Sequence, residues 1–403
     1  MAAPFASLRG LPRSFWLLWT GALINRLGGF VVPFLALYLT AQRGLSVARA
    51  GAIVSLFGLG SLLAGPLGGV LADHLGRRRT LLAGLVAGSL AMLHLGFART
   101  PLHIAIAAFA LGFLGDIYRP ALNAAVADLV APAERVRAYA VLYWAANLGF
   151  ALACSIAGVV AGRSFLALFI ADAATTLLFA AVVFFRVPES QSHEHRAHAR
   201  EGGARNLLVP LRDGVYMSFV ALVFLTALLL LQSLVTLPLD MRAHGIAPDR
   251  YGVLIALNGV EIVLLQPFIG SLMGQFRRSR VLAVSALLVG GGFAINAFAG
   301  IVGVPLYALS IGVWTLGEIL LSPVAPAVVA DLAPGSLRGT YQGVYQMAWG
   351  AAFCVAPLTG SLVLGHFGAS TLWLSCAAIG IAVAVLHLGT AGARRRRLLQ
   401  LRA

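Results

Sequence analysis

The chemistry available in this sequence sits in a few ionisable side chains stranded inside long apolar stretches: Arg26, Asp116, Arg119, Asp172, Glu261 and Glu318. A charged side chain at the centre of a bilayer helix costs roughly 2.5 to 3.5 kcal/mol on insertion scales, so each marks a position where function is expected. Asp116 and Arg119 stand three residues apart, which puts them on one helix face where they can neutralise each other. A structural ion pair and a coupling role both fit that spacing. Arg26 follows Asn25 and could hold an anionic substrate group or balance an acid elsewhere. Glu261 and Glu318 differ, because the second half of the chain has no intramembrane base of its own. Unless Arg26 or Arg119 reaches across, desolvation favours their neutral forms. A carboxyl that exchanges its proton can carry it, and one that stays ionised can hold a cation. Glu318 and then Glu261 are the leading proton-coupling or cation-recognition candidates.

Polar stripes add a second kind of candidate. Gln342, Tyr345, Gln346 and Trp349 recur at helical spacing, and Tyr139, Tyr143 and Asn147 form a similar face. Purely apolar stripes are usually helix packing, whereas lipid would penalise these amides and hydroxyls, which favours a cavity lining. Asn258, Gln232 and Ser233 are weaker candidates of the same kind. Aromatic and small residues with few acids suit amphipathic or lipophilic solutes better than sugars. His193, His195 and His198 are explained by a solvated linker, with no frame to fix a metal's geometry. Cys154, Cys354 and Cys376 fall in apolar stretches and read as small packing residues, neither disulfides nor zinc ligands.

The elements that must position these residues are membrane helices. Of 403 residues, 60% are hydrophobic and 11% charged, with a net charge of +15, against roughly a quarter charged in soluble chains. All 29 basic residues are arginine. Without lysine there is no Walker A phosphate loop, no pyridoxal Schiff base and no lysine nucleophile. Spans of about 20 apolar residues cross a bilayer, and the sequence predicts twelve: 16–39, 47–71, 80–98, 102–128, 136–161, 164–185, 214–239, 251–275, 281–299, 304–331, 338–365 and 369–392. The first follows Arg9 and Arg13 but is too long for a signal peptide and lacks a small-residue cleavage site, so it reads as a retained span. The termini and even-numbered connections hold 21 arginines and the odd-numbered ones six, with Arg26 and Arg119 in the membrane. That asymmetry places both termini in the cytoplasm. The basic excess is therefore a collar that sets topology and can touch anionic headgroups, with no nucleic-acid partner implied.

The hydrophilic segment 186–213 divides the chain into an N-terminal six-helix bundle, 1–185, and a C-terminal one, 214–403, with a basic tail. The halves repeat. GPLGGVLADHLGRRRTLL (Gly65 to Leu82) aligns with QPFIGSLMGQFRRSRVLA (Gln266 to Ala283), and VADLVAPAER (Val126 to Arg135) with VADLAPGSLR (Val329 to Arg338). Both matches fall at equivalent spans, as expected where one bundle rocks against the other around a midplane site. At the same offset Tyr139 and Tyr143 correspond to Gln342 and Gln346.

Gly69-x-x-x-Asp73-His74-x-Gly76-Arg77-Arg78 resembles the signature loop of the major facilitator superfamily of secondary transporters, with histidine where a basic residue is usual. Gly69 permits close helix approach, Gly76 a tight turn, and Asp73 and Arg77 offer charges that pair in one state and part in another. The resemblance implies that Asp73 faces the start of the eleventh span and that Arg77 pairs with Asp128. It also implies that spans 1, 2, 4, 5, 7, 8, 10 and 11 line the cavity, leaving Asp172 on a peripheral span in a structural role. Two departures stand out. The Gly-Pro element of drug:proton antiporters is missing from the fifth span, where Ala153 to Gly158 reads ACSIAG, and a closer version, Ala356-Pro357-Leu358-Thr359-Gly360, lies in the eleventh. The fourth-span arginine of the family's second motif is absent near Ala108, with Arg119 three turns later.

The resemblance thus implies an all-α membrane protein with the major facilitator fold, in the cell (inner) membrane. It would be a monomer with no cofactor and no enzymatic activity, exporting small amphipathic compounds at the expense of a proton gradient. An importer or facilitator of a nutrient or small organic anion is the alternative, supported by Arg26. A lipid-modifying membrane enzyme would need clustered acids for metal-diphosphate chemistry, and here the acids are scattered.

Overall fold

The computed structural model describes residues 10–29, 35, 38–45, 47–161, 164–202, 206–234, 236–246 and 248–401, which consist of helices and their connections. Arg9, Arg163, Arg205, Arg402, part of the first predicted span and the side chain of Cys154 lie outside the described residues. The first half comprises α1 (Arg13–Leu27), α2 (Val47–Leu75), α3 (Arg77–Phe97), α4 (Pro101–Asp116), α5 (Tyr118–Leu129), α6 (Arg135–Ala161) and α7 (Phe165–Arg186). A short α8 (His193–Gly202) follows. The second half comprises α9 (Gly214–Leu230), α10 (Thr236–Ala243), α11 (Pro248–Met273), α12 (Arg278–Ile295), α13 (Val304–Leu332), α14 (Arg338–Gly389) and α15 (Ala391–Gln400). Among the described residues, nine helical segments are long and apolar enough to cross a membrane. Helices are required there because a spanning backbone must satisfy its own hydrogen bonds.

Several predicted spans differ in detail, and proline or glycine accounts for each break. The fourth span divides at Ile117 between α4 and α5. Pro120 has no N–H to give the carbonyl of Asp116, so the ladder lapses between Asp116 and Arg119. The seventh divides into α9, a 3-10 turn at Leu231–Ser233, and α10, with Pro238 withholding the next bond. The eleventh and twelfth run together as α14, interrupted only by Gly368 at φ 82°, which glycine alone adopts cheaply. Helix starts carry side-chain caps: Thr100 accepts from the His103 N–H, Ser164 from Ala167 and Asp213 from Tyr216.

The expected solvated linker is more ordered than its composition suggests. Glu189 accepts from the backbone N–H groups of Arg77 (2.9 Å) and Arg78 (3.3 Å) at the start of α3. Arg196 of α8 pairs with the same carboxylate at 3.3 Å, and the Gln191 amide donates to the Asp73 carbonyl at 2.9 Å. A helix N-terminus attracts a carboxylate, and Gly76, at φ 105°, leaves room where a Cβ would meet the Glu189 carboxylate.

The seam between α2 and α14 sets the shape of the central space. A Cβ on Gly69 would fall 2.3 Å from the Gly339 carbonyl oxygen, and one on Gly343 would fall 2.3 Å from that of Gly65. Paired small residues four apart let two membrane helices touch backbone to backbone. Further along the same face the gap widens: a Cβ on Gly350 stands 3.1 Å from Leu62, and one on Gly58 stands 3.9 Å from Phe353. Two turns beyond Gly58, a Cβ on Gly51 would meet nothing within 4 Å. The seam is tightest at the arginine-rich end and widens from Gly65 toward Gly58.

Candidate functional site

At the closed end, charges lock the two halves together. Asp73, fully buried, accepts from the backbone N–H groups of Gly339 (2.9 Å) and Thr340 (2.6 Å), from the Thr340 hydroxyl (2.6 Å) and from Arg77 (2.6 Å). It therefore caps the start of α14, satisfying donors that a helix end leaves orphaned. Arg77 reaches Asp128 of α5 at 3.0 Å, so the structure makes both contacts implied for the signature loop. Arg338 of α14 also binds Asp128, at 2.5 Å. The repeat then supplies a mirror image. Asp331, the counterpart of Asp128, is held by Arg135 from the first half at 2.6 Å and by Arg278 from its own half. Arg135, Arg278, Arg338 and Asp331 were not expected as part of this lock, although the repeated VADL…R segments already placed Asp331 opposite Asp128 and Arg338 opposite Arg135.

Nearer the middle of the membrane helices the first half pairs Asp116 with Arg119. Arg119 binds Asp116 at 2.5 Å, and the Ser61 hydroxyl of α2 donates to the other Asp116 oxygen. Arg26 packs its stem on Gly149 of α6, where a glycine Cβ would fall 2.6 Å away, and makes no hydrogen bond or ion pair among the described residues. Its neighbour Asn25 donates to Thr176 at 2.8 Å and accepts from Tyr118 at 3.4 Å. Asp172 is buried on α7, beneath the hydroxyl of Thr175, which donates to the Asp172 carbonyl at 3.0 Å.

In the second half the two mid-membrane glutamates, Glu318 and Glu261, meet no base among the described residues. Glu318 of α13 accepts from the Tyr143 hydroxyl (2.7 Å) on α6 and from the Asn258 amide (2.8 Å) on α11. Asn258 also donates to Thr315 at 3.0 Å, and Asn147 fixes the Tyr143 turn through that residue's carbonyl at 3.0 Å. One carboxylate thus ties the halves together through neutral donors, beside a second crossing bond from Trp144 to the Val263 carbonyl (2.9 Å). Glu261, one turn beyond Asn258, faces Gly312, with no hydrogen-bond or ionic partner among the described residues. Neutral donors stabilise a carboxylate without a permanent counter-charge, which leaves proton gain and loss accessible.

Part of the expected binding stripe points elsewhere. Gln342 is fully buried, and its amide donates to the Pro326 carbonyl of α13 at 3.0 Å. Tyr139, its counterpart, donates to the Asn123 carbonyl at 2.6 Å. Both bonds stay within one half of the chain, so the Gln342 amide nitrogen is committed to α13. Gln346 lies beside Gly65 and Trp349 is half-buried against the core. Asp240 was missed, because the predicted seventh span stopped one residue short of it. It is 1% exposed and accepts from Tyr307 (2.8 Å) and Trp373 (3.1 Å). His193, His195 and His198 do not converge: the His198 ring meets the Glu194 carbonyl at 3.0 Å, while the His195 ring lies against Gly335.

Comparison with known proteins agrees with this geometry. The profile described as Major Facilitator Superfamily matches residues 18–241 and 219–400. The chain is 28% identical to "Uncharacterized MFS-type transporter YttB" of Bacillus subtilis (strain 168), over 91% of this chain and 92% of that one. It is 26% identical to a "Na(+), Li(+), K(+)/H(+) antiporter" of Planococcus maritimus, over 82% and 84%. It is 25% identical to "Multidrug resistance protein 2" of Bacillus subtilis (strain 168), over 78% and 80%. Among solved structures, the proton:xylose symporter XylE superposes with a TM-score of 0.76 at 16% identity, covering 93% of this chain and 94% of that one. At that identity the likeness concerns the fold.

Proposed function

The chain belongs to the Major Facilitator Superfamily, a secondary transporter rather than an enzyme, and from that premise we propose proton-coupled export of small amphipathic compounds by alternating access. One observation carries the reading: Glu318 bonds Tyr143 across the seam with no base beside it. While ionised, its two oxygens hold Tyr143 and Asn258 and draw α6 onto α13. A proton on the carboxyl converts one acceptor into a donor and weakens that tie, so proton occupancy and separation of the halves become one event. Asp73, Asp128 and Asp331 form the lock that must open for the opposite access state. Glu261, without an ionic partner among the described residues, offers a cationic substrate group its counter-charge. The arginine-rich end faces the cytoplasm of a cell membrane, by the positive-inside rule, and the proton gradient is the energy source in place of any cofactor.

Reconstitution into liposomes with an imposed pH gradient tests this reading. Lipophilic cations and neutral amphiphiles should move against the proton flow, and an uncoupler should abolish the movement. Flux indifferent to the gradient overturns proton coupling. A second reading, exchange of monovalent cations for protons, is favoured by the likeness to a Na(+), Li(+), K(+)/H(+) antiporter and by the oxygens of Glu318 and Thr315 gathered about the Asn258 amide nitrogen. In the same vesicles it would appear as proton release driven by Na⁺ or K⁺ with no organic solute present.

A further inference from the structure

A cavity of about 710 Å³ opens at the arginine-rich end, between the start of α12, the end of α13 and α15. Arg277, Arg278, Arg280, Arg394 and Arg395 line it against a single acid, Asp331. That acid is already held by Arg135 and Arg278. Arg277, Arg280 and Arg395 are exposed and have no ion-pair partner among the described residues. Arg394 is 5% exposed and bonds only neutral groups: the Thr390 hydroxyl (2.8 Å), the Ser279 hydroxyl (3.1 Å) and the His387 carbonyl (2.6 Å). Burial without an acid pushes its guanidinium down to about 10. Apart from Asp331, no acid among the described residues lines this cavity.

The repeat provides an internal control. At the start of α3 the Glu189 carboxylate occupies the helix N-terminus, bonded to the N–H groups of Arg77 and Arg78. The equivalent start of α12 has no side-chain cap and no acid in its first turn. What a carboxylate of the chain fills in one half is an open cationic cavity in the other. An apolar track leaves it: Leu388 lines the cavity, and Val385 and Ile381 follow at helical spacing along α14, all three more than half exposed. A phosphate group meets the arginines and the helix start together, and the track suits an acyl chain.

We propose that this cavity binds the phosphate headgroup of an anionic phospholipid, with an acyl chain lying along Leu388, Val385 and Ile381. The cavity shares Arg278 and Asp331 with the charge lock, but lipid retention is read without transport, so the site stands or falls without the proposed function.

The purified full-length protein in neutral detergent is titrated with dioleoylphosphatidylglycerol, dioleoylphosphatidylcholine and inorganic phosphate. Native mass spectrometry counts bound lipid, and bound phosphate is read as displacement of it. Phosphatidylglycerol should be retained at least about tenfold more tightly than phosphatidylcholine. With each arginine worth roughly fivefold near a charged surface, the R277Q/R280Q/R395Q variant should lose binding on the order of a hundredfold. The R277K/R280K/R395K variant should keep most of it. All three side chains are exposed, so an unchanged size-exclusion profile is expected from both variants. Wild-type retention of phosphatidylglycerol by the glutamine variant overturns the site, and equal loss in the lysine variant overturns recognition by charge. Displacement of the lipid by millimolar phosphate makes a soluble anion the occupant and overturns the lipid assignment.

Discussion

In the first half of the chain, Asp116 and Arg119 close on each other at 2.5 Å, with Ser61 on the remaining oxygen. In the second, Glu318 accepts only from neutral Tyr143 and Asn258, and Glu261 from nothing described. The same residue chemistry serves two ends. An acid beside a base stays charged and holds a helix bend together, whereas an acid among neutral donors can gain and lose a proton without leaving a buried charge unpaired. On the proposed reading, pairing separates the carboxyl that serves as scaffold from the one that moves protons.

That contrast can be broken at four points. The largest effect is expected from Glu318→Gln: gradient-driven flux in liposomes falls at least about a hundredfold, as for removal of an essential proton carrier, while thermal stability stays near wild type. Unchanged flux with an unchanged pH dependence would sink the assignment. Asp116→Asn should do the reverse, lowering stability by about 1 to 3 kcal/mol through the charge left on Arg119. The swap D116R/R119D should recover much of that loss in a thermal-shift assay, and failure to recover it would remove the scaffold reading. Tyr143→Phe deletes one bond to a charged acceptor, about 1.5 to 3 kcal/mol, and should slow coupled flux roughly tenfold. Equal slowing of uncoupled exchange would show that Tyr143 acts in packing alone. The smallest effect belongs to Glu261→Gln. Neutral solutes should move within about threefold of wild type, while cationic ones lose roughly tenfold through the missing ion contact; equal effects on both would contradict a cation-recognition role.

The closed end was largely legible in the sequence. Asp73, Gly76, Arg77 and Asp128 are fixed by a short motif and by residues near helix ends, so the resemblance could place them residue by residue. The repeat contained the rest of the lock, since Asp331 and Arg338 sit where Asp128 and Arg135 sit one half earlier. Glu189 carried no such signal, because a lone acid in a polar segment gives no hint that it will cap a helix 112 residues away. Gln342 misled for a related reason. Its spacing placed it on a polar face, but the fold buries that position and gives its amide the Pro326 carbonyl of α13.

Hydropathy and the arginine pattern determined by themselves that this chain spans a membrane, and the repeat determined that its halves are related. Both are local properties: each span must satisfy its own backbone in lipid, and so writes its length and polarity into consecutive residues. Which acid is paired and which is free was decided only by tertiary structure. Tyr143 and Glu318 stand 175 residues apart, and their meeting depends on how α6 and α13 are turned about their axes. That rotation is set by close packing, with Gly149 of α6 against Arg26 and Gly317 of α13 against the Ser285 backbone. No run of neighbouring residues encodes it.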